Sequence, residues 1–385
     1  MQQPAYHLHK ALYGLKQAPR AWHSALKSAL AELEFEESKS DAALFTRKSQ
    51  RGLTFLLVYV DDILVVDSEL GVVQQVKKQV LSKFKGRDLG EVSTFIGIQI
   101  TRDREAKSIR LSQSKAIAEL VEKQGLGAAK GRATPLHHSQ QLVKEGEPLE
   151  WEGKSNPYAE LIGSLLYLSN CTRPDISHAA GMLARFSSAP TVEHMQVAKG
   201  VVRYLAGTQQ FGLVYQQCIN RSSSRVRGYG DADYAGCKDT RRSTIGYVFM
   251  LNGGAISWCS RRQAVVATST AEAEYIAAAA TVKEAMWLSK LMQDLQQWDG
   301  QPLQLLTDNQ AALALLTGSN SNSQRAKHID IVYHYARERV ERGDVAFAYC
   351  PSSEMIADAL TKPVTLQVFG KCRHMFGIRR MESGG

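Results

Sequence analysis

None of the six cysteines in this 385-residue chain (171, 218, 237, 259, 350 and 372) forms a C-x-x-C pair or other zinc-ligand spacing. That argues against a disulfide scaffold or a zinc-built fold, and reduced thiols in a reducing compartment are expected. No apolar run is long enough for a bilayer span, because the longest, residues 53–66, is interrupted by Asp61 and Asp62. The opening MQQPAYHLHK has no apolar core, which excludes a signal peptide there. Internal repeats and low-complexity tracts are also missing. A soluble intracellular protein with no membrane partner is the expectation. Acidic charge is in short supply: 47 Lys+Arg against 38 Asp+Glu leave a net +9. The excess suits a polyanionic partner, although a basic surface can simply be solvated. With 44% hydrophobic and 22% charged residues, the composition is neither disordered nor fibrous, and the length fits two or three domains.

Along the chain, residues 6–30 read as a turn and an amphipathic helix, with Pro19 near its start and Trp22, Leu26 and Leu30 at helical spacing. Residues 53–66 (LTFLLVYVDDILVV) are two β-rich runs around a pair of acids, a hairpin pattern. The pattern then predicts a helix near 72–84, a strand over Thr94–Ile100 and a helix over 112–124. Residues 127–157 lack periodicity and read as a long loop or linker. A helical stretch from Tyr158 to Leu205 is broken at Arg173-Pro174 and Ala189-Pro190, and the polar run 220–227 is the best boundary. Beyond it, strands are expected at 226–232, 246–251, 255–259, 303–306 and 345–349. Helices are expected at 270–297, 309–317 and 326–341, with a short one ending before Pro363. Helices covering a mixed sheet are the natural packing for this order.

Four acids beyond the 220–227 run fall at the edges of that sheet: Asp231 on its first strand, Glu274 on the long helix, Asp308 at the end of strand LQLLTD, and Asp358 on EMIADAL. Carboxylates gathered together repel and desolvate one another. Two divalent cations about 3.5–4 Å apart would remove that penalty and activate water for in-line attack on a phosphodiester. Hard oxygen ligands favour Mg²⁺ or Mn²⁺. Plainer roles exist for each acid. Ser269-Thr270-Ala271-Glu272 is a capping box, which gives Glu272 a helix-terminal role and separates it from Glu274, about 200° around the helix. Asp308 could cap the helix beginning at Asn309, and Asp358 could be an exposed helical acid. Asp231 and Asp233 share a strand face, so pattern alone does not choose between them.

The ordered run D-A-D-Y-A-G, R-R-S-T-I-G-Y-V-F, I-S-W-C-S-R-R-Q, S-T-A-E-A-E-Y, T-D-N-Q-A-A, K-H-I-D-I and A-D-A-L-T-K-P across 226–363 resembles the ribonuclease H domain of copia-type LTR retrotransposon polyproteins. The resemblance implies that Asp231, Glu274, Asp308 and Asp358 hold two Mg²⁺ (or Mn²⁺) ions. It implies cleavage of the RNA strand of an RNA–DNA hybrid. Asp233 has no assigned role, nor do Lys327, His328 and Asp330. Cellular ribonucleases H carry a His shortly before the last Asp; YCPSSEMIAD has none. Arg225, Arg227, Lys238, Arg241, Arg242, Arg261 and Arg262 could track phosphates, or could be a solvated surface. The hybrid would be read by shape and 2′-OH.

Residues 12–22 (LYGLKQAPRAW) and Tyr59-Val60-Asp61-Asp62 resemble the reverse transcriptase palm of the same polyproteins. This implies metal ligation by Asp61 and Asp62, Gln17 near the incoming nucleotide, and Lys16 and Arg20 near template or nucleotide. Segments 88–100, 109–115 and 156–208 resemble the primer-side, thumb and connecting regions. The family's third polymerase Asp precedes YGLKQAP, yet residues 1–11 contain no acid. A truncated palm lacking fingers, inactive alone as a polymerase, is therefore expected.

The expected fold is mixed α+β and α/β. It has a partial palm (1–105), a helical thumb/connection (106–220), a ribonuclease H-like mixed sheet covered by helices (226–363) and a C-terminal tail (364–385). Partners implied are the hybrid and template-primer nucleic acid, with a second copy or a complete polymerase subunit as further candidates. The family places it in cytoplasmic particles and secondarily the nucleus. The competing readings are a non-catalytic nucleic-acid-binding remnant of the same polyprotein and, much further behind, a phosphatase using the D-A-D run.

Overall fold

Strict alternation builds the first sheet: in the strand Gly52–Tyr59, Thr54, Leu56 and Val58 are buried and their neighbours are not. The computed structural model describes residues 11–12, 14–49, 52–217, 225–318 and 330–380. Contacts divide the chain into two compact units, one running to Ile96 and including Trp287–Asp299, the other comprising Gly97–Met286 and the residues from Gly300 onward. The strands Glu36–Glu37, Leu44–Ser49, Gly52–Tyr59 and Asp62–Val66 of the first unit pair in sequential, antiparallel order. Helices Ala18–Ala31 and Leu70–Lys83 cover one face, with Leu26, Leu30, Val76 and Val80 meeting Phe45, Leu56 and Val58 in its core. Pro19 sits in the first turn of its helix, where a missing N–H costs nothing.

In the second unit, Asn156 caps the helix Pro157–Cys171 by accepting from the N–H groups of Tyr158 and Ala159. Helices Ser177–Ala184 and Val192–Gly207 follow, with breaks at the two prolines anticipated from the sequence. Arg173 and Asp175, both fully buried, form a two-pronged ion pair of 2.9 and 2.8 Å. The antiparallel strands Ile98–Asp103, Ser108–Ser112, Phe211–Gln216 and Ile378–Arg380 are neighbours in that order. A five-stranded mixed sheet has the order Gly254–Arg262, Thr244–Leu251, Arg227–Asp233, Leu303–Thr307, Val345–Tyr349. Its first three strands are antiparallel, and Leu303–Thr307 runs parallel to both of its neighbours. The long helix Thr270–Asp294 presents Ala273, Ala277 and Ala280 to Ala232 and Ile245. The expected mixed sheet covered by helices is present.

Two expectations need correction. The strand expected over 94–100 is interrupted: Ile96 and Gly97 have φ of 51° and 73°, which ends Thr94–Phe95 before Ile98–Asp103 begins. Residues 364–380 are no tail. They form helix Leu366–Met375 and strand Ile378–Arg380, and bury Phe369, Cys372, Phe376 and Ile378. Of the helix expected over 326–341, Asp330–Glu341 is present and its first four residues lie outside the described residues.

Glycines set two close approaches around the central strand. A Cβ on Gly230 would lie 2.6 Å from Thr281 Oγ1, so its absence lets the long helix settle against the sheet. Gly246 pairs directly with Asp231, and a Cβ there would meet Thr361 Cγ2 at 2.6 Å and the Ala357 carbonyl at 3.0 Å. Gly246→Val is therefore expected to displace the Asp358–Thr361 helix and destabilise the second unit by about 1–3 kcal/mol, read from urea unfolding.

Candidate metal centre

The central strand carries Asp231 into the interior, where it is 2% exposed. Parallel register sets Leu306 beside Tyr229, so two residues further along both chains Asp308 comes level with Asp231. Asp308 does not cap the next helix: Asn309 does, its side chain accepting from the Ala312 N–H at 2.9 Å. Glu274 reaches the same place from the first turns of the long helix and is buried. Its neighbour Glu272 is occupied at the helix terminus. There Glu272 N–H donates to Ser269 Oγ at 3.2 Å, while its carboxylate accepts from the Thr268 N–H at 2.7 Å. The three acids Asp231, Glu274 and Asp308 offer ligand oxygens that all lie within 4.8 Å of one another.

Asp358 stands on the short helix Asp358–Thr361, outside that group. Its Oδ1 is ion-paired with Lys362 Nζ at 2.9 Å. Thr361, from the same helix, donates its hydroxyl to Asp231 Oδ2, and Ser352 donates to Asp308 Oδ2 at 2.8 Å. Thr361, Ser352 and Lys362 were not singled out from the sequence. Only the A-D-A-L-T-K-P motif, which contains two of them, signalled that segment. Asp233 is half-buried, with room for its carboxylate made by Gly236, where a Cβ would fall 1.8 Å from Asp233 Oδ2.

Burial pushes the Asp231 carboxyl upward, reinforced by Asp358 and Asp308 and opposed by Lys362 and the Thr361 hydroxyl. Glu274 is pushed up by burial and by Asp231 and Asp308. Such oxygens are held close at a cost that a hard cation relieves, and an all-carboxylate donor set fits Mg²⁺ or Mn²⁺. Both acids hold protons more tightly folded than unfolded. In metal-free buffer their contribution to stability is present below the ordinary carboxylate range and lost as pH rises through their elevated folded values. Melting scans in chelator are expected to show falling stability from mildly acidic to alkaline pH. Glu274→Gln should flatten that slope.

The other predicted residues are placed as follows. Asp61 and Asp62 are exposed at the hairpin tip, where Val60 adopts a φ of 53° and Tyr59 pairs with Asp62. Trp22 ties LYGLKQAPRAW to this turn, its indole N–H donating to the Val60 carbonyl at 2.8 Å. Among the described residues no third acid, His or Cys joins the pair in a ligand group. Lys16, Gln17 and Arg20 are exposed around the start of the first helix, and Gln17 occupies its N-cap without a side-chain bond. Arg241 and Arg261 are exposed, whereas Arg242 and Arg262 are half-buried. Arg262 points a guanidinium N–H at Cys237 Sγ, 3.7 Å away. Among the described residues no helix is long and apolar enough to cross a membrane.

The hairpin of one unit carries Tyr-Val-Asp-Asp and the mixed sheet of the other gathers three carboxylates, the combination expected of a reverse transcriptase polyprotein. Residues 2–138 match the model of the family described as reverse transcriptase (RNA-dependent DNA polymerase). The retrovirus-related Pol polyprotein from transposon TNT 1-94 of Nicotiana tabacum is 39% identical over 96% of this chain and 28% of its own length. The putative transposon Ty5-1 protein YCL074W of Saccharomyces cerevisiae is 32% identical over 72% of this chain and 89% of its own length. Of solved structures, the foamy viral protease-reverse transcriptase in complex with dsDNA covers 89% of this chain, and 60% of that chain is covered, at 15% identity and a TM-score of 0.47. This chain belongs to the retrotransposon Pol polyprotein family of the copia type. It spans about a quarter of the length of the plant polyproteins it matches.

Proposed function

We propose that this chain is a metal-dependent endonuclease for RNA–DNA hybrids, acting through the site on its mixed sheet. The observation that carries the reading is the convergence of Asp231, Glu274 and Asp308, which come from a strand, a helix and the end of another strand, far apart in sequence. Asp358 supplies a fourth carboxylate at the margin. When bound there, Mg²⁺ or Mn²⁺ supplies an activated water and stabilises charge on the phosphoryl oxygens. The chain's own residues do the positioning. Thr361 and Ser352 fix the orientation of Asp231 and Asp308 by donating hydrogen bonds. Gly246 and Gly230 let the Asp358–Thr361 and Thr270–Asp294 helices come close enough to deliver their acids. The exposed Arg241 and Arg261 are suited to phosphates of the hybrid. A 2′-OH and A-like backbone shape, rather than base sequence, would mark the strand to be cut.

In the same reading residues 1–105 and 106–220 are palm and thumb/connection. Asp61 and Asp62 are then metal ligands, Gln17 lies near the incoming nucleotide, and Lys16 and Arg20 lie near template or nucleotide. The test is incubation of the purified chain with end-labelled hybrid, single-stranded RNA and duplex DNA in Mg²⁺. Cleavage confined to the RNA strand of the hybrid, and abolished by Glu274→Gln, is expected. Binding of the hybrid without Glu274-dependent cleavage would instead mark a nucleic-acid-binding remnant.

A further inference from the structure

We propose that Lys362 is a tethered cation that stands in for the second divalent ion, and that it must withdraw from Asp358 before that ion is held. The inference rests on the ribonuclease reading and adds to it a reason for unequal ion affinities. Three of the four acids already share a site, but the fourth does not join them. Asp358 Oδ1 is buried, and Lys362 Nζ meets it as an ion pair at 2.9 Å. Surface pairs at this i,i+4 spacing usually contribute little. Here the Asp358 side chain is only 14% exposed, whereas the Lys362 side chain is 41% exposed and has a way out to solvent.

The tether is short. Lys362 is the C-cap of the Asp358–Thr361 helix, with its backbone N–H donating to the Asp358 carbonyl at 3.1 Å, and Pro363 follows immediately. From there the ammonium also acts on Asp231, Asp233 and Glu274, favouring their charged forms. One lysine thus balances part of the acid cluster's charge at rest. The first ion, at Asp231, Glu274 and Asp308, needs no such displacement. A second ion using Asp358 competes with a positive charge attached to the same helix. The chain should therefore take up two ions in two well-separated steps.

The experiment is Mn²⁺ titration of the full chain without nucleic acid, with free Mn²⁺ counted by electron paramagnetic resonance, for wild type, Lys362→Gln and Lys362→Arg. Lys362→Gln is expected to tighten the second step by about tenfold, while Lys362→Arg stays within about threefold of wild type. A parallel measurement needs no variant: acylation of Lys362 by an amine-reactive ester, read by mass spectrometry, should rise over the Mn²⁺ range that fills the second step. Two-step binding unchanged by Lys362→Gln, or labelling indifferent to Mn²⁺, would overturn the tether and leave the ribonuclease reading standing. Failure of every form to bind Mn²⁺ would overturn both.

Discussion

Replacing Asp231 by Asn is expected to lower Mg²⁺-dependent hybrid cleavage by about three orders of magnitude or more, equivalent to about 4 kcal/mol of lost transition-state stabilisation. The same substitution should raise the melting temperature in metal-free buffer. Both effects come from one placement. Asp231 sits 2% exposed on the central strand within reach of Glu274 and Asp308, so its charge is costly unless a cation is bound. Asn keeps the shape and can still meet the Thr361 hydroxyl, but it brings no charge to a cation. Single-turnover cleavage and a melting scan in chelator measure the two effects on one preparation. Unaltered cleavage would remove Asp231 from the chemistry. A large drop in melting temperature would mean that the residue is there for the fold.

Arg173→Met is expected to destabilise the second unit by about 3–5 kcal/mol, the cost of leaving a buried charge without its partner. The Arg173 and Asp175 side chains are both 0% exposed, paired through two nitrogens and both carboxylate oxygens. Arg173 Nη2 also donates to Thr208 Oγ1 at 2.7 Å, and the Tyr204 hydroxyl donates to Asp175 Oδ2 at 2.5 Å. The network locks the turn after helix Pro157–Cys171 onto helix Val192–Gly207. Adding Asp175→Leu to Arg173→Met should recover part of the loss, since no uncompensated carboxylate remains. Recovery is incomplete because Tyr204 loses its acceptor. Urea unfolding of the single and double variants measures the difference. Equal destabilisation by both would show that the carboxylate is not the source of the cost.

Much of this architecture is legible in the chain because local signals agree with the long-range ones. In the mixed sheet the expected strands fall within a few residues of those observed, for apolar runs there are bounded by clear turns: Gly246–Leu251 was expected and Thr244–Leu251 is found. Ser269 and Glu272 announced the start of the long helix, which freed Glu274 for the site. What the sequence hid is pairing between distant segments. Phe211–Gln216 is six residues long and joins Ile378–Arg380, a three-residue strand whose partner is far away in sequence. Neither piece carries enough periodicity to be recognised alone. Asp358 is expected as a metal ligand with the other three acids, and spacing between acids says nothing about Lys362 one helical turn away. The role of Gly246 depends on what packs across from it, and so appears only in three dimensions.

The most direct test of the central claim is anomalous diffraction from crystals of this chain soaked in Mn²⁺. A peak coordinated by Asp231, Glu274 and Asp308 is the expected result, with a second beside Asp358 at higher Mn²⁺ in which Lys362 has turned away. Peaks only at Asp61 and Asp62, or none among the buried acids, would contradict it.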